Sequence, residues 1–258
     1  SADQVETLLR SFTCAPTAVR NRALVAVMWR CGLRVSEALA LTPGDPAGIG
    51  PEIVARALAH DAILRGRVVV VGDPLAMRDA LARYAPKFHL REVDLRRNDA
   101  LPHDLHEHQI AIHAVPSLNA FPEVGKVSAE AGHAAYEAIV TAARLSMEGH
   151  TCGMATAPVS KLALRAAGVS EPGHTEILAR IAGRSGDDQF AMMFASERLQ
   201  VVLATIHLPL AKALSTLTPE RVLAKLKLTH DAGRWLGKTA PLIAVAGINP
   251  HAGEAGLL

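Results

Sequence analysis

Aromatic side chains are scarce in this chain of 258 residues, at 3%, although half of all residues are hydrophobic. Alanine, valine and leucine dominate the apolar residues. A core of such composition is built from small aliphatic side chains on helices and buried strands. The length fits one large α/β domain, or two smaller ones that share a cleft.

Cysteine is also scarce. The three residues Cys14, Cys31 and Cys152 are far apart and form no Cys-x-x-Cys pair. This spacing disfavours a disulfide framework or a zinc knuckle, and a reducing, cytoplasmic compartment is the simplest expectation. The apolar run from Ala23 to Trp29 is too short to span a bilayer and lacks a signal-peptide cleavage site.

The chain has no strong excess of charge of either sign. The formal net charge is +2, and the basic residues are spread along the sequence. A protein devoted to nucleic acid usually carries a basic patch or stripe, so nucleic-acid binding is disfavoured.

Strand-like and helix-like segments alternate after Leu41. Apolar strand candidates lie at 67–72, 109–115, 151–156, 199–205 and 241–247, and helix-like stretches at 51–60, 128–147, 159–167, 175–183 and 219–236. Strands that alternate with helices predict an α/β fold with a largely parallel sheet. Residues 1–41 are instead predicted to form three helices, of which the third runs from Val35 to Leu41.

Four segments carry polar or glycine-rich patterns typical of ligand sites. Residues 42–52 form a Gly/Pro-rich loop that opens a helix, and residues 172–176 open another. His207 ends one apolar run and His251 follows another, which is where parallel sheets place their ligands. Imidazole suits zinc and other transition metals, so a shared metal site is one interpretation and structural histidines are the other.

Together these segments resemble 4-hydroxythreonine-4-phosphate dehydrogenases. The matching pieces keep that family's order: TPGDPAGIGPEIV (42–54), VVVVGDP (68–74), GKVSAEAG (125–132), TAPVSK (156–161), GHTE (173–176), ATIHLPL (204–210) and GINPHAGE (247–254). No single piece is decisive, whereas the ordered set is specific. The resemblance covers residues 42–258.

The resemblance implies a fold like that of the isocitrate and isopropylmalate dehydrogenases, with two α/β/α lobes around a cleft. It implies a homodimer whose site is shared between subunits, and NAD and a divalent metal (zinc, magnesium or cobalt) as cofactors. Implied site residues are His207 and His251 for the metal, His174 and Thr175 for substrate, and Lys161 and Asp45 as catalytic residues near the cleft.

The implied reaction is oxidation and decarboxylation of 4-hydroxythreonine 4-phosphate to 3-amino-2-oxopropyl phosphate, a step of pyridoxal 5′-phosphate synthesis. NAD would take a hydride from the carbon bearing the secondary alcohol, leaving a ketone β to the carboxylate. A divalent metal would act as a Lewis acid on the oxygen that gains charge as carbon dioxide leaves.

The sequence departs from the family at both ends. Residues 1–41 resemble a fragment of a tyrosine recombinase, with Arg34 at its first catalytic arginine, and they replace the family's opening strand. The family continues past Leu258 with a third metal histidine, so weak metal binding and low activity are expected. The alternatives are a dehydrogenase of a related four-carbon phosphorylated hydroxy acid, and an inactive fusion remnant.

Overall fold

The computed structural model describes residues 38–97, 105–184, 186, 188–196, 199–249, 251 and 254. The chain divides after Ile181 into two compact units. The first unit holds the motifs that begin at residues 42, 68, 125, 156 and 173, and the second holds those around His207 and His251. The predicted recombinase-like fragment, with Arg34, lies outside the described residues except for its last four positions.

Five parallel strands form the sheet of the first unit. They are β1 (Leu39–Thr42), β2 (Val68–Gly72), β3 (His89–Glu92), β4 (Gln109–Ala114) and β5 (Gly153–Thr156). Their order is β3-β4-β2-β1-β5, so β1 lies inside the sheet between β2 and β5. The predicted α/β class with a parallel sheet is therefore confirmed for this unit.

Six helices accompany these strands. They are α1 (Gly50–His60), α2 (Ala62–Arg65), α3 (Pro74–Tyr84), α4 (Ala129–Met147), α5 (Lys161–Ala166) and α6 (His174–Ile181). The predicted helices near 51–60, 128–147, 159–167 and 175–183 are thus confirmed with small shifts at their ends. None of the helices in the described ranges is both long enough and apolar enough to cross a membrane.

Alternate residues of the inner strands face two separate hydrophobic layers, as the period of a strand requires. Leu39 and Leu41 of β1 pack in a cluster with residues of α1 and α3, such as Leu58 and Met77. Ala40, between the two leucines, belongs to the opposite cluster with Leu145 of α4. Both faces of the sheet are covered, which explains why the strands have almost uninterrupted apolar sequences.

The predicted helix from Val35 to Leu41 is wrong over residues 39–41, which begin strand β1. Alanine and leucine favour helices intrinsically, but that preference amounts to less than about 1 kcal/mol per residue. Full burial between two strands outweighs it, since Leu39, Ala40 and Leu41 are at most 2% exposed. These residues form the apolar strand that precedes the 42–54 motif. The sequence had suggested that residues 1–41 replace this strand.

The second unit contains two strands and two helices in its described residues. Strands β6 (Met193–Ala195) and β7 (Gln200–Val202) pair antiparallel, followed by α7 (Leu210–Thr216) and α8 (Pro219–Trp235). The predicted helix at 219–236 is confirmed. The buried parallel strand expected at 199–205 is wrong, because β7 is short and antiparallel.

The strand expected at 241–247 is also wrong, since this segment has no regular structure and Leu242 is fully exposed. A strand needs a neighbour for its backbone N–H and C=O groups. Within the described residues, the sheet pairing of this unit is limited to β6 and β7.

Candidate functional site

The order of the strands identifies one edge of the sheet as the place for a ligand. From β1 the chain moves to one side to form β2, β3 and β4, and it returns to the other side of β1 to form β5. The strand order therefore reverses between β1 and β5. Open parallel sheets bind ligands outside the carboxyl ends of their strands at such a switch point.

The loops that leave β1 and β5 are bound tightly to each other at this edge. The N–H of Asp45 donates to the carbonyl oxygen of Pro158 at 3.1 Å, and the N–H of Ala157 donates to the carbonyl of Thr42 at 3.0 Å. Gly44 has φ +70°, and a Cβ built on it would lie 2.3 Å from the carbonyl oxygen of Pro158. Only glycine allows the two backbones to approach so closely.

Asp45 is buried where these loops meet, with 6% of its surface exposed. One carboxylate oxygen accepts the N–H of Ala47 at 2.9 Å. Burial raises the pKa of Asp45, and hydrogen bonds from the backbones of Ala47 and Ser160 offset part of that rise. The carboxyl group thus retains a proton at higher pH than an exposed aspartate, which suits a group that exchanges protons with a ligand.

His174 and Thr175 begin helix α6. The Nε2 atom of His174 is buried without a hydrogen-bond partner among the described residues, and so is Oγ1 of Thr42. Burial lowers the pKa of His174, while a hydrogen bond to the backbone of Ala157 and the charge of Glu176 oppose this effect. Because buried polar atoms are normally paired, these two orphaned atoms point to a bound ligand at this edge.

Lys161 lies at the start of helix α5, which Ser160 caps through its side chain. A Cβ built on Gly173 would lie 4.0 Å from Cε of Lys161 and 3.7 Å from Oε2 of Glu176. The lysine side chain therefore passes next to the turn that precedes His174. An ammonium group at this position can bind an anionic group of a ligand.

The segment from Ala157 to Lys161 thus connects all four residues that the sequence predicts for this unit. Asp45 contacts it from the loop after β1, His174 bonds the backbone of Ala157 from the start of α6, and Lys161 belongs to it. Thr175 directly follows His174. Sequence reasoning missed Thr42 and Glu176, which take part in the same arrangement. Their signal was available, since Thr42 is the one polar residue of β1 and Glu176 completes the Gly-His-Thr-Glu motif.

Asp73 organises the neighbouring loop at the end of β2. One carboxylate oxygen accepts the N–H groups of Leu75 and Ala76, at 2.7 and 3.4 Å, and caps helix α3. The other oxygen accepts the N–H groups of Ser117 and Leu118, at 2.7 and 2.9 Å. This buried side chain therefore holds the loops after β2 and β4 in place beside the site.

His207 and His251 belong to the second unit, and both are exposed. Both have positive φ, at 55° and 52°. Nε2 of His251 lies 3.8 Å from Oε1 of Glu254. Nowhere in the described ranges do three His, Cys, Asp or Glu side chains lie together as a metal site. The two imidazoles fit a transition metal chemically, and further ligands are needed to complete its coordination.

An Asp45→Asn variant is expected to unfold at a higher temperature at neutral pH. The pKa of Asp45 is raised in the folded state above its ordinary value of 3.8, so the folded protein binds more protons than the unfolded chain between these two values. Stability falls as pH rises through that window, and asparagine removes the fall because it has no charge to bury.

Thermal unfolding of the two proteins from acid to neutral pH checks this expectation. Asp231→Asn is the control, since that carboxylate side chain is 64% exposed. A melting temperature of Asp45→Asn below that of the unsubstituted protein at neutral pH would contradict the sign argued above.

The chain matches a known protein family and resembles several characterised relatives by name. The model of the family described as pyridoxal phosphate biosynthetic protein PdxA matches residues 65–258. A 4-hydroxythreonine-4-phosphate dehydrogenase of Beijerinckia indica is 43% identical over 85% of this chain and 63% of its own length. A D-threonate 4-phosphate dehydrogenase of Salmonella typhimurium is 37% identical over 86% of this chain and 66% of its own length.

Solved structures agree with these relatives. The crystal structure of 4-hydroxythreonine-4-phosphate dehydrogenase from Klebsiella pneumoniae is similar with a TM-score of 0.77 and 38% identity, over 86% of this chain and 66% of that one. The expected fold of the isocitrate and isopropylmalate dehydrogenase type is thereby confirmed. The chain spans just under two thirds of the length of the relatives it matches.

Proposed function

Because this chain belongs to the family of pyridoxal phosphate biosynthetic protein PdxA, we propose that it acts as a dehydrogenase of 4-hydroxythreonine 4-phosphate. The reaction is NAD-dependent oxidation and decarboxylation of this substrate to 3-amino-2-oxopropyl phosphate, in pyridoxal 5′-phosphate synthesis. The observation that carries the proposal lies at the edge between β1 and β5, where Nε2 of His174 and Oγ1 of Thr42 are buried and have no hydrogen-bond partner among the described residues.

The residues of the first unit have the chemistry that this reaction needs. His174 and Thr175 hold polar groups of the substrate, and the ammonium of Lys161 binds an anionic group. Asp45, with its raised pKa, would accept the proton of the secondary alcohol. NAD, when bound, would supply the acceptor for the hydride of the same carbon. After carbon dioxide is lost, the same carboxyl group returns a proton to the carbon that carried the carboxylate.

The family's divalent metal would be held by His207 and His251, whose imidazoles are suitable donors. When bound, a divalent cation stabilises negative charge on the substrate oxygen. Both histidines are exposed, which leaves them accessible to other ligands. We infer that a second subunit completes the site in a homodimer.

Relatives named for D-threonate 4-phosphate support one alternative substrate, also a phosphorylated four-carbon hydroxy acid. We favour 4-hydroxythreonine 4-phosphate because the family model carries the name of pyridoxal phosphate biosynthesis, and because the relative that is 43% identical bears the substrate's name. NADH formation from 4-hydroxythreonine 4-phosphate and from D-threonate 4-phosphate is therefore measured in the same assay.

The purified chain is expected to form NADH from 4-hydroxythreonine 4-phosphate when zinc, magnesium or cobalt is added. A His174→Ala variant should lower kcat/KM by about tenfold. This corresponds to a loss of about 1.4 kcal/mol of transition-state stabilisation, as expected for one hydrogen bond to the substrate. His133→Ala is the matched control, since His133 is exposed on helix α4. Faster turnover of D-threonate 4-phosphate would reassign the substrate, and no NADH from either would indicate an inactive remnant.

A further inference from the structure

Helix α6, which begins with His174, is bound at its far end to two other parts of the first unit. Nε of Arg180, in the last turn of the helix, donates to Oε1 of Glu171 in the segment that precedes the helix. Nη2 of the same guanidinium donates to the hydroxyl oxygen of Tyr136 on helix α4, and the guanidinium lies 5.9 Å from the centre of that ring. Glu171, Arg180 and Tyr136 thus form a clamp on α6.

The carboxylate of this clamp is well covered. The side chain of Glu171 is only 13% exposed, whereas that of Arg180 is 52% exposed. The second oxygen of Glu171, Oε2, accepts the hydroxyl of Ser170 at 2.9 Å. Hydrogen bonds between charged groups are about twice as strong as neutral ones, and water screens a covered carboxylate less than an exposed one. The clamp is therefore stronger than an ion pair between two exposed side chains, which often contributes almost nothing.

Helix α6 depends on tertiary contacts for its direction, because its eight residues are too few for a stable helix in water. Its largest buried side chain, Ile177, belongs to a hydrophobic cluster with Ile139 of α4. Arg180 follows Ile177 by three residues and so lies on the same face of α6. On α4, Tyr136 and Ile139 are related in the same way. The clamp is therefore a second attachment beside the apolar one, and it removes the freedom of α6 to pivot about Ile177.

His174 lies between the two ends of the clamp in the sequence. Glu171 precedes it by three residues, and Arg180 follows it by six. The imidazole bonds to the backbone of Ala157, and its Nε2 atom is buried and has no hydrogen-bond partner among the described residues. A pivot of α6 would carry this ring away from Ala157 and from the edge between β1 and β5. The place of the ring therefore depends on contacts that lie outside the ligand site.

We propose that Glu171, Arg180 and Tyr136 are positioning residues, which hold His174 in place for the substrate by fixing the direction of α6. They act through His174 rather than on the substrate itself. The effect on the substrate rests on the proposed dehydrogenase function, whereas the effect on the His174 ring does not.

The test is a titration of the His174 imidazole by nuclear magnetic resonance in the full chain, with the His174→Ala variant identifying its signal. Burial lowers the pKa of His174 below its ordinary value of 6.5, so release of α6 should raise that pKa as the ring becomes exposed. Glu171→Ala breaks the clamp, and Tyr136→Phe removes one of its bonds without changing any charge. Glu92→Ala is the matched control, since Glu92 forms an exposed ion pair with Arg78 at 2.9 Å.

The sign of the shift separates movement of the ring from simple electrostatics. Removing the negative charge of Glu171 disfavours the protonated imidazole, which by itself lowers the pKa of His174. A higher pKa in Glu171→Ala, with a smaller rise in Tyr136→Phe, therefore shows that the ring has left its buried place. Glu92→Ala should leave the pKa unchanged. A lower or unchanged pKa of His174 in Glu171→Ala overturns the proposal, and Tyr136→Phe decides in the same way if Glu171→Ala does not fold.

Kinetics measure the consequence for the substrate. In a chain that forms NADH, Glu171→Ala should raise KM for 4-hydroxythreonine 4-phosphate by about tenfold and change kcat by less than about twofold, which is the pattern of weakened substrate binding. Glu92→Ala should change neither value. An unchanged KM in Glu171→Ala overturns the proposal. A raised pKa of His174 in a chain without turnover supports the positioning role while the proposed reaction fails.

Discussion

Replacing Gly44 by alanine is expected to lower the free energy of unfolding by about 2–5 kcal/mol. A non-glycine residue at positive φ costs about 1–2 kcal/mol, and forced overpacking typically costs about 1–3 kcal/mol more. Gly44 has φ +70°, and the new Cβ would lie 2.3 Å from the carbonyl oxygen of Pro158 and 2.8 Å from that of Ala157. Both are backbone atoms, so no side chain can rotate away to relieve the contact.

Gly125→Ala separates the two causes. Gly125 has φ +82°, but a Cβ built there would meet no atom within 4 Å. This control carries the backbone strain without the clash, so we expect a loss of about 1–2 kcal/mol. Urea unfolding at equilibrium measures both variants. Equal losses would show that the loops after β1 and β5 are not packed as tightly as described.

Replacing Asp73 by alanine is expected to cost about 3–4 kcal/mol. The carboxylate accepts four backbone N–H groups, two in helix α3 and two at Ser117 and Leu118. Each donor left unpaired in a buried place costs about 1–3 kcal/mol, and water that enters the gap recovers part of the total. Three of the four bonds are only part-buried, so this recovery keeps the expected loss at the lower end of the sum.

Asp61→Ala is the matched control for the capping role. Asp61 also accepts two backbone N–H groups at the start of a helix, from Ile63 and Leu64, but its side chain bonds to no distant loop among the described residues. Loss of a cap alone costs about 1 kcal/mol. If Asp73→Ala and Asp61→Ala destabilise the protein equally, the bonds to Ser117 and Leu118 contribute nothing. The expected difference in midpoint between the two variants is large enough for urea or thermal unfolding to resolve.

The elements that the sequence predicted well have strong local patterns. Residues 68–71 are four consecutive valines, a run that favours a strand buried on both faces. Helix α4 follows Ser128, whose side chain caps it, and repeats alanine at helical spacing. Near the site, motif order located Asp45, Lys161, His174 and Thr175, although their roles stay predictions.

Other features depend on contacts between distant segments. Helix α3 was not predicted, because charged residues are interspersed among its apolar ones. Asp73 and Pro74 nevertheless form a regular start for a helix. The contact of the Arg83 guanidinium with the Phe121 ring was not predicted either, since these two residues meet only in the folded chain. The strand expected at 241–247 shows the reverse case, in which a strong local pattern finds no partner strand in the described ranges.

The interior position of β1 has a consequence for synthesis of the protein. Translation releases β1 first and β5 last of the five strands, so one side of β1 has no neighbour until Thr156 has left the ribosome. At ordinary elongation rates that interval is on the order of 5–20 seconds. During it the nascent chain exposes an unpaired apolar edge of the kind that chaperones protect and that aggregation exploits. The edge between β1 and β5 is consequently the last part of the sheet to be completed.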